Sequence, residues 1–245
     1  RAKEQDAGAR LIVEGGQNMS VREVGCPEGT TVIMRDLFFN IPVRRAFLKK
    51  PQYEGALVSD TVARMILGNP NISFRFINNA RTIYHSFGDG DLRHAVFAVY
   101  GRETAESMLE VDRYEGSIRI RGLIGVGEQA KATRAHEAFF INGRSVRCPL
   151  LSQALESVCR ERVTIGMYPM CALHLTLAPG SVDVNVHPNK LEVRFRDEAA
   201  TRIAVESMLR DALQGGAMLR LDAEPPATVN PVRSVVRLPL PSQSA

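Results

Sequence analysis

From Val182 to His187 the chain alternates apolar and polar residues, with Val182, Val184 and Val186 on one side and Asp183, Asn185 and His187 on the other. A period of two is the pattern of a half-buried strand. Pro188 cannot donate to a ladder and Asn189 suits a turn. Lys190 therefore falls at a loop tip before Leu191, Val193 and Phe195 resume the apolar side of a second strand. The segment commits the chain to a sheet with one buried face. On spacing alone it is an ordinary strand pair carrying a solvated lysine, as most loop lysines are.

The rest of the chain divides near Ser86 to Asp91. Before that point Thr31 to Phe38 reads as a strand. Gln52 to Leu67 carries Leu57, Val58, Thr61, Val62, Met65 and Ile66 at helical spacing, with Pro70 just beyond its end. Ile72, Phe74 and Phe76 alternate with Ser73 and Arg75, and Asn78-Asn79 supplies a turn into Arg81 to Ser86. After it, Asp91 caps a helix bearing Leu92, Ala95, Val96 and Val99, and Gly101 ends it. Strands are predicted at Ser107 to Asp112, Ser117 to Ile124 and Glu137 to Ile141, with Asn142-Gly143 as a hairpin turn into Arg144 to Cys148. A helix with Leu151, Ala154, Leu155 and Val158 follows, then a strand in which Cys171, Leu173, Leu175 and Leu177 alternate. A last helix, roughly Asp197 to Leu213, is predicted to stop at Gly215-Gly216. From Leu221 onward Pro225, Pro226, Pro231, Pro239 and Pro241 among small polar residues describe a linker. Strands and helices in this order define an α+β protein.

With 245 residues, 44% of them hydrophobic and 24% charged, the chain has enough apolar surface for one or two globular domains. No apolar run reaches membrane-spanning length and no signal-peptide core follows the first residues, so the reading is a cytoplasmic protein. Cys26, Cys148, Cys159 and Cys171 contain no CxxC pair and read as buried or idle thiols rather than disulfides or zinc ligands. A net charge of +4 and a pI near 9.0 do not by themselves imply nucleic acid. Arg44, Arg45, Lys49 and Lys50, Arg119 and Arg121, and Arg144 and Arg147 either line one phosphate-binding surface or form separate solvated faces. Gly122, Gly125 and Gly127 fit no phosphate-cradling pattern and read as turn and strand-end glycines.

Three segments carry a family resemblance: DVNVHPNKLEVRF from Asp183 to Phe195, GTTVIMRDLFFNIPVRRAFLKK from Gly29 to Lys50, and FFINGRSVR from Phe139 to Arg147. They resemble the MutL family of DNA mismatch-repair proteins, occur in that family's order, and belong to a similarity running from about Gly29 to Leu213. The resemblance implies a fold. Residues 1–88 would be the C-terminal part of a gyrase/chaperone/histidine-kinase/MutL-type ATP-binding lobe. Residues 89–216 would be a ribosomal-protein-like transducer domain with a left-handed crossover, and 217–245 a disordered linker. It also implies roles for single residues. Gly29 and Thr30 match the late nucleotide-binding motif of the lobe, and Lys190 matches the lysine that crosses to the γ-phosphate, where a compact ammonium charge stabilises phosphate oxygens. Asp183, Asn185 and His187 would support the loop around it, His187 as a structural histidine rather than a base. Arg144 and Arg147 stand where the family presents basic residues to DNA, although Pro149 occupies a position where another basic residue is often found. Asn40, Pro42 and Arg44 are implied to serve folding and signalling.

The catalytic glutamate, the magnesium-binding asparagine and the glycine-rich motifs of the family's ATPase are absent from the sequence, which begins beyond the place where they would stand. ATP and magnesium are therefore expected cofactors of an intact protein with weak ATPase activity, and none is expected for this stretch alone. No metal site is expected within it. The implied partners are DNA, duplex or single-stranded and bound without sequence preference, a mismatch-recognition protein of the MutS family, a downstream nuclease or helicase, and a second copy in a homodimer. A bacterial protein of this kind would be associated with the nucleoid. The alternative is a truncated, nucleotide-independent module of transducer type that binds nucleic acid or protein. The equivalent region of a type II topoisomerase would carry a QTK-like loop, and the run HPNKLEVRF counts against it.

Overall fold

A computed structural model describes residues 1–183 and 193–221. Asn185, His187 and Lys190, together with the sequence after Leu221, lie outside the described residues. Contacts group the chain into two compact units, Arg1–Val62 and Ala63–Ala245.

In the first unit β1 (Gly8–Glu14) pairs antiparallel with β2 (Gln17–Val24), with a register shift between Ile12 and Val13. Gly15 and Gly16 join them at φ 59° and 90°, the left-handed pair that a tight two-residue hairpin requires. The strand predicted over Thr31–Phe38 does not form. Residues 31–35 have no regular structure, a turn follows with Asp36 and Phe38 at positive φ, and Val32 and Met34 are 78% and 79% exposed. A strand exists only as part of a ladder, and none of the described residues pairs with this run. α1 (Pro42–Phe47) starts at a proline whose missing amide hydrogen costs nothing at a first helical position. The Lys49 amide donates to Glu54 Oε1 at 2.8 Å, tying the entry of α2 (Pro51–Gly68).

In the second unit Ala63, Ile66 and Leu67 of α2 are buried. β3 (Arg75–Asn78) and β4 (Arg81–His85) form a hairpin whose turn residues are Asn79 and Ala80, at φ 49° and 61°. The turn thus falls one residue later than Asn78-Asn79. α3 (Leu92–Tyr100) begins as the spacing predicts, with the Arg93 amide donating to Asp91 Oδ1 at 2.7 Å, and ends at Gly101 with φ 87°. A short α4 (Arg102–Ser107) follows, so the next strand starts later than Ser107. The strands β5 (Leu109–Glu115), β6 (Ile118–Gly125), β7 (Glu137–Ile141), β8 (Arg144–Val146) and, after α5 (Pro149–Cys159), β9 (Met170–Thr176) build one sheet in the order β5-β6-β9-β7-β8. Neighbours are antiparallel except β7 and β9, which run parallel. The connection through β8 and α5 is the crossover that parallel pairing demands. Two short strands, β10 (Val182–Asp183) and β11 (Arg194–Phe195), pair beside the sheet. α6 (Glu198–Leu221) closes the unit and continues through Gly215 and Gly216, where a stop was predicted. Glycine costs a helix interior about 1 kcal/mol but does not forbid it.

One sheet face packs under α5 and α6. Val111, Ile120, Phe139, Ile141, Leu173 and Leu175 meet Leu151, Leu155, Val205, Met208 and Leu209 in a continuous buried cluster. On the opposite face the last turn of α2 lies on Phe140: a Cβ on Gly68 would come 2.6 Å from that ring. Gly122, inside β6 rather than at a strand end, faces the Ala172 carbonyl so closely that no side chain fits. The four cysteines are free, three of them buried.

Glu137 is the exception to an apolar core. It is 5% exposed, and neither carboxylate oxygen has a hydrogen-bond partner. Burial pushes its pKa up to about 7; the Ser152 hydroxyl, near but not in bonding geometry, and the Arg134 guanidinium offset that only in part, while Glu156 reinforces it. The folded state thus holds a proton that the unfolded chain releases at the ordinary value near 4.5. Stability must fall as pH rises from that value to about 7 and level off above it. Thermal unfolding should accordingly show a midpoint that drops between pH 5 and 8, by an equivalent of roughly 2 kcal/mol. Glu137→Gln should remove most of that slope and exceed the parent at pH 8; a parent profile flat across this range would contradict the buried-acid account.

Candidate functional site

The sequence-identified residues divide between the two units. Gly29 and Thr30 belong to the first. Gly29 sits at φ 110°, its amide donates to the Arg1 carbonyl at 3.0 Å, and nothing lies within 4 Å of where a Cβ would be. Thr30 is exposed. The second unit holds Asp183, Arg144 and Arg147.

Asp183 lies on β10 opposite Arg194 of β11, and Val182 lies opposite Phe195. Val182 and Phe195 are buried in the core cluster, and the Arg196 amide donates to the Ser181 carbonyl at 2.9 Å. These pairs form the two stems of the segment 184–192. The alternation of apolar residues explains them: the valine and phenylalanine enter the core, and the aspartate and arginine remain outside. Asp183 is thus at a stem.

Arg144 opens the short strand β8 and Arg147 follows its end, after a turn at Asn142 and Gly143 with φ 49° and 80°. Both are exposed, and neither is in an ion pair among the described residues. Asn142 does more than turn the chain. Its amide hydrogen goes to the Leu175 carbonyl at 2.9 Å, its Oδ1 accepts from the Leu177 amide at 3.0 Å, and its Nδ2 donates to the Leu177 carbonyl at 3.1 Å. Sequence reading identified the turn but not this clamp, whose partner is 35 residues away.

Arg119 and Arg121 are on β6, and only Arg119 is tied down. Its guanidinium makes two hydrogen bonds to Asp112, at 3.0 and 2.8 Å, and lies 4.8 Å from the Tyr114 ring centre. The Asp112 carboxyl is held below its usual value chiefly by that arginine. Arg121 stands in register between Asp112 and His174 and is exposed. His174 stacks on Phe140 at 4.5 Å, and its Nε2 is 3.0 Å from the Leu67 carbonyl, the geometry of a neutral ring donating a proton to α2. Burial lowers its pKa, and Arg121 lowers it further. It is therefore a packing histidine.

The thiols are poor nucleophiles. Burial raises Cys148, pushes Cys159 up to about 12, and raises Cys171 well above the ordinary value. Among the described residues no group of three or more His, Cys, Asp or Glu side chains sits together to hold a metal ion. No helix among them is long and apolar enough to cross a membrane. An open groove of about 630 Å³ runs beside Glu156, Arg160, Ile165 and Tyr168 and includes none of the residues identified from sequence.

A similar arrangement of strands and helices recurs in solved structures. The B-subunit of DNA gyrase from Myxococcus xanthus, 12% identical, aligns with a TM-score of 0.50 over 89% of this chain and 67% of its own. A MutL ATPase domain of Aquifex aeolicus complexed with ADP is 26% identical and aligns at 0.60, over 84% of this chain and 69% of that one. The architecture is thus that of the gyrase and MutL class of ATPase regions, its closing lobe portion followed by the transducer fold. A family model described as DNA mismatch repair protein, C-terminal domain, matches residues 96–214. The MutL protein of Symbiobacterium thermophilum is 42% identical over 219 residues, 89% of this chain and 34% of the relative. The chain belongs to the MutL family of DNA mismatch-repair proteins. It spans about a third of the length of the curated relatives it matches.

Gly29 and Thr30 can be separated experimentally. Gly29→Ala forces a side chain into a left-handed conformation and should destabilise the first unit by about 1 kcal/mol, seen as faster limited proteolysis. Thr30→Ala removes an exposed hydroxyl and should leave proteolysis unchanged, so a loss of nucleotide affinity in that variant would support the nucleotide role expected of Thr30. Equal proteolysis of Gly29→Ala and the parent would show that the positive φ is not required.

Proposed function

We propose that this chain is the part of a MutL-type switch that senses the nucleotide and presents a basic surface to DNA. The observation that carries the reading is the run Asp183–Phe195, whose two described ends pair as short strands and whose sequence between them contains Lys190. Lys190 would meet the γ-phosphate of ATP bound by an ATP-binding lobe that includes Gly29 and Thr30, with magnesium held by residues outside this chain. Asp183, Asn185 and His187 would shape the loop. Because the ammonium would touch the γ-phosphate only while ATP is intact, hydrolysis would release the closed arrangement, provided closure gains binding energy that the open state lacks. In domain terms we assign 1–88 to the lobe, 89–216 to the transducer, and the residues beyond to a linker.

Arg144 and Arg147 are the DNA contacts in this reading, with Arg121 as a further exposed cation on the sheet. All three are charges without base-edge geometry, suited to phosphates and hence to binding without sequence preference. Mismatch recognition by a protein of the MutS family, downstream nuclease or helicase partners, and a homodimer complete the proposal for the whole protein. A second reading, a module that binds nucleic acid without nucleotide, draws on the same exposed arginines.

Two measurements test these parts separately. Lys190→Ala, in the native polypeptide that contains this chain, should lower ATP turnover by about tenfold or more while leaving the thermal midpoint in place. Unchanged turnover would sink the sensor role and favour the nucleotide-independent module. Arg144→Glu with Arg147→Glu should weaken binding to duplexes of unrelated sequence by similar factors and lower the slope of log affinity against log salt by about 2. A loss confined to one sequence would contradict nonspecific binding.

A further inference from the structure

β7 turns back at Asn142 before β9 has delivered its last residue to the core, and the Asn142 side chain takes over where the backbone ladder ends. The last backbone bond between these neighbours runs from the Asn142 amide to the Leu175 carbonyl, at 2.9 Å. Beyond it the carboxamide presents an acceptor and a donor to both polar groups of Leu177, at 3.0 and 3.1 Å. This is one strand-like pairing made by a side chain. The position is chemically narrow. The backbone at φ 49° favours Asn, Asp or Gly, and of these only Asn carries a donor and an acceptor on a side chain this short.

What the clamp holds lies directly upstream of the proposed sensor segment. Leu177 is buried in the core cluster, a single turn closed by the Ser181 amide on the Ala178 carbonyl follows at 2.9 Å, and the chain then enters Val182 and Asp183. On the returning side Phe195 is buried, and the Arg196 amide meets the Ser181 carbonyl. The outgoing stem is thus pinned at Leu177 by Asn142 and at Val182 by the core. We infer that Asn142 is a positioning residue for the β10 stem, fixing through Leu177 the course of the chain into Val182 and Asp183, the described residues that precede Lys190 in sequence. The inference rests on the reading that Lys190 meets a phosphate, and it links the motif containing Asn142 to the motif containing Lys190. Asn142 touches no nucleotide in it and is not a catalytic residue.

The test uses the native polypeptide that contains this chain. Asn142→Gly keeps the left-handed turn and removes only the carboxamide. It should speed amide exchange at Leu177, Val182 and Asp183 by about tenfold, leave the β5–β6 amides protected, and lower kcat for ATP toward the Lys190→Ala level with KM within about twofold. The double variant should be no slower than Lys190→Ala, because both act on one element. Asn142→Asp retains the acceptor for the Leu177 amide and should recover part of both effects. Unchanged exchange at Leu177, Val182 and Asp183 in Asn142→Gly overturns the inference, and so does faster exchange with full kcat when Lys190→Ala is impaired. If Lys190→Ala itself turns over normally, the nucleotide reading fails independently. Exchange at the stem then decides the positioning role by itself, faster exchange supporting it and unchanged exchange overturning it.

Discussion

The second unit depends on where β9 sits. It is the central strand of the sheet, antiparallel to β6 on one side and parallel to β7 on the other, and it is covered on both faces. Met170, Cys171, Ala172, Leu173 and Leu175 are buried as a consequence. A strand buried on both faces has no tolerance for a register slip, since moving by one residue would exchange the sets that meet α5 and α2. His174 is the polar residue in that run, and it fits because its ring both stacks on Phe140 and finds the Leu67 carbonyl. Without that carbonyl, a buried imidazole would leave a donor unsatisfied at a cost of about 1–3 kcal/mol. The histidine thereby ties the last turn of α2 at Leu67 to the sheet, and Gly68 permits the close approach.

The segments that sequence reading located well are those whose signal is local. α3 and α5 show helical spacing of residues that are mostly buried, and Asp91 and Gly101 cap α3 as their chemistry dictates. α2 forms where it is predicted, but of its expected stripe Leu57, Val58 and Met65 are exposed and Ile66 is buried. β7 and its Asn-Gly turn appear at the predicted residues. The departures from expectation have different causes. Thr31–Phe38 has strand-forming residues, but forming a strand depends on a partner elsewhere in the chain. The glycine pair in α6 was weighed as a stop, although glycine is a modest penalty rather than a barrier. The β1–β2 hairpin carries a local signal in Gly15-Gly16 between its two strands.

The candidate site divides along the same line. The motif around Lys190 is legible as a string, and its alternation fixes the two stems, because Val182 and Phe195 can only face the core. Asn142 is different. As a letter it specifies a turn; its more consequential bonds reach Leu177, and a partner 35 residues away leaves no mark in local spacing. Glu137 is similarly hidden, since a carboxyl at a strand start is ordinarily solvated and only packing beneath α5 makes it a buried acid.

Charge shows how the two levels combine. The net charge of +4 suggests a modest attraction to any polyanion. Pairing redistributes it, because Arg93, Arg102, Arg119, Arg134 and Arg202 each face a carboxylate. Surface pairs of this kind add little stability, yet each cancels a charge that a count of basic residues would credit to DNA binding. Arg144 and Arg147 are exposed at the edge hairpin without such a partner among the described residues, and Arg121 is exposed on the sheet. Since affinity for a duplex depends on how many phosphates are neutralised together, the proposed DNA contact rests on these exposed, unpaired arginines rather than on the net charge.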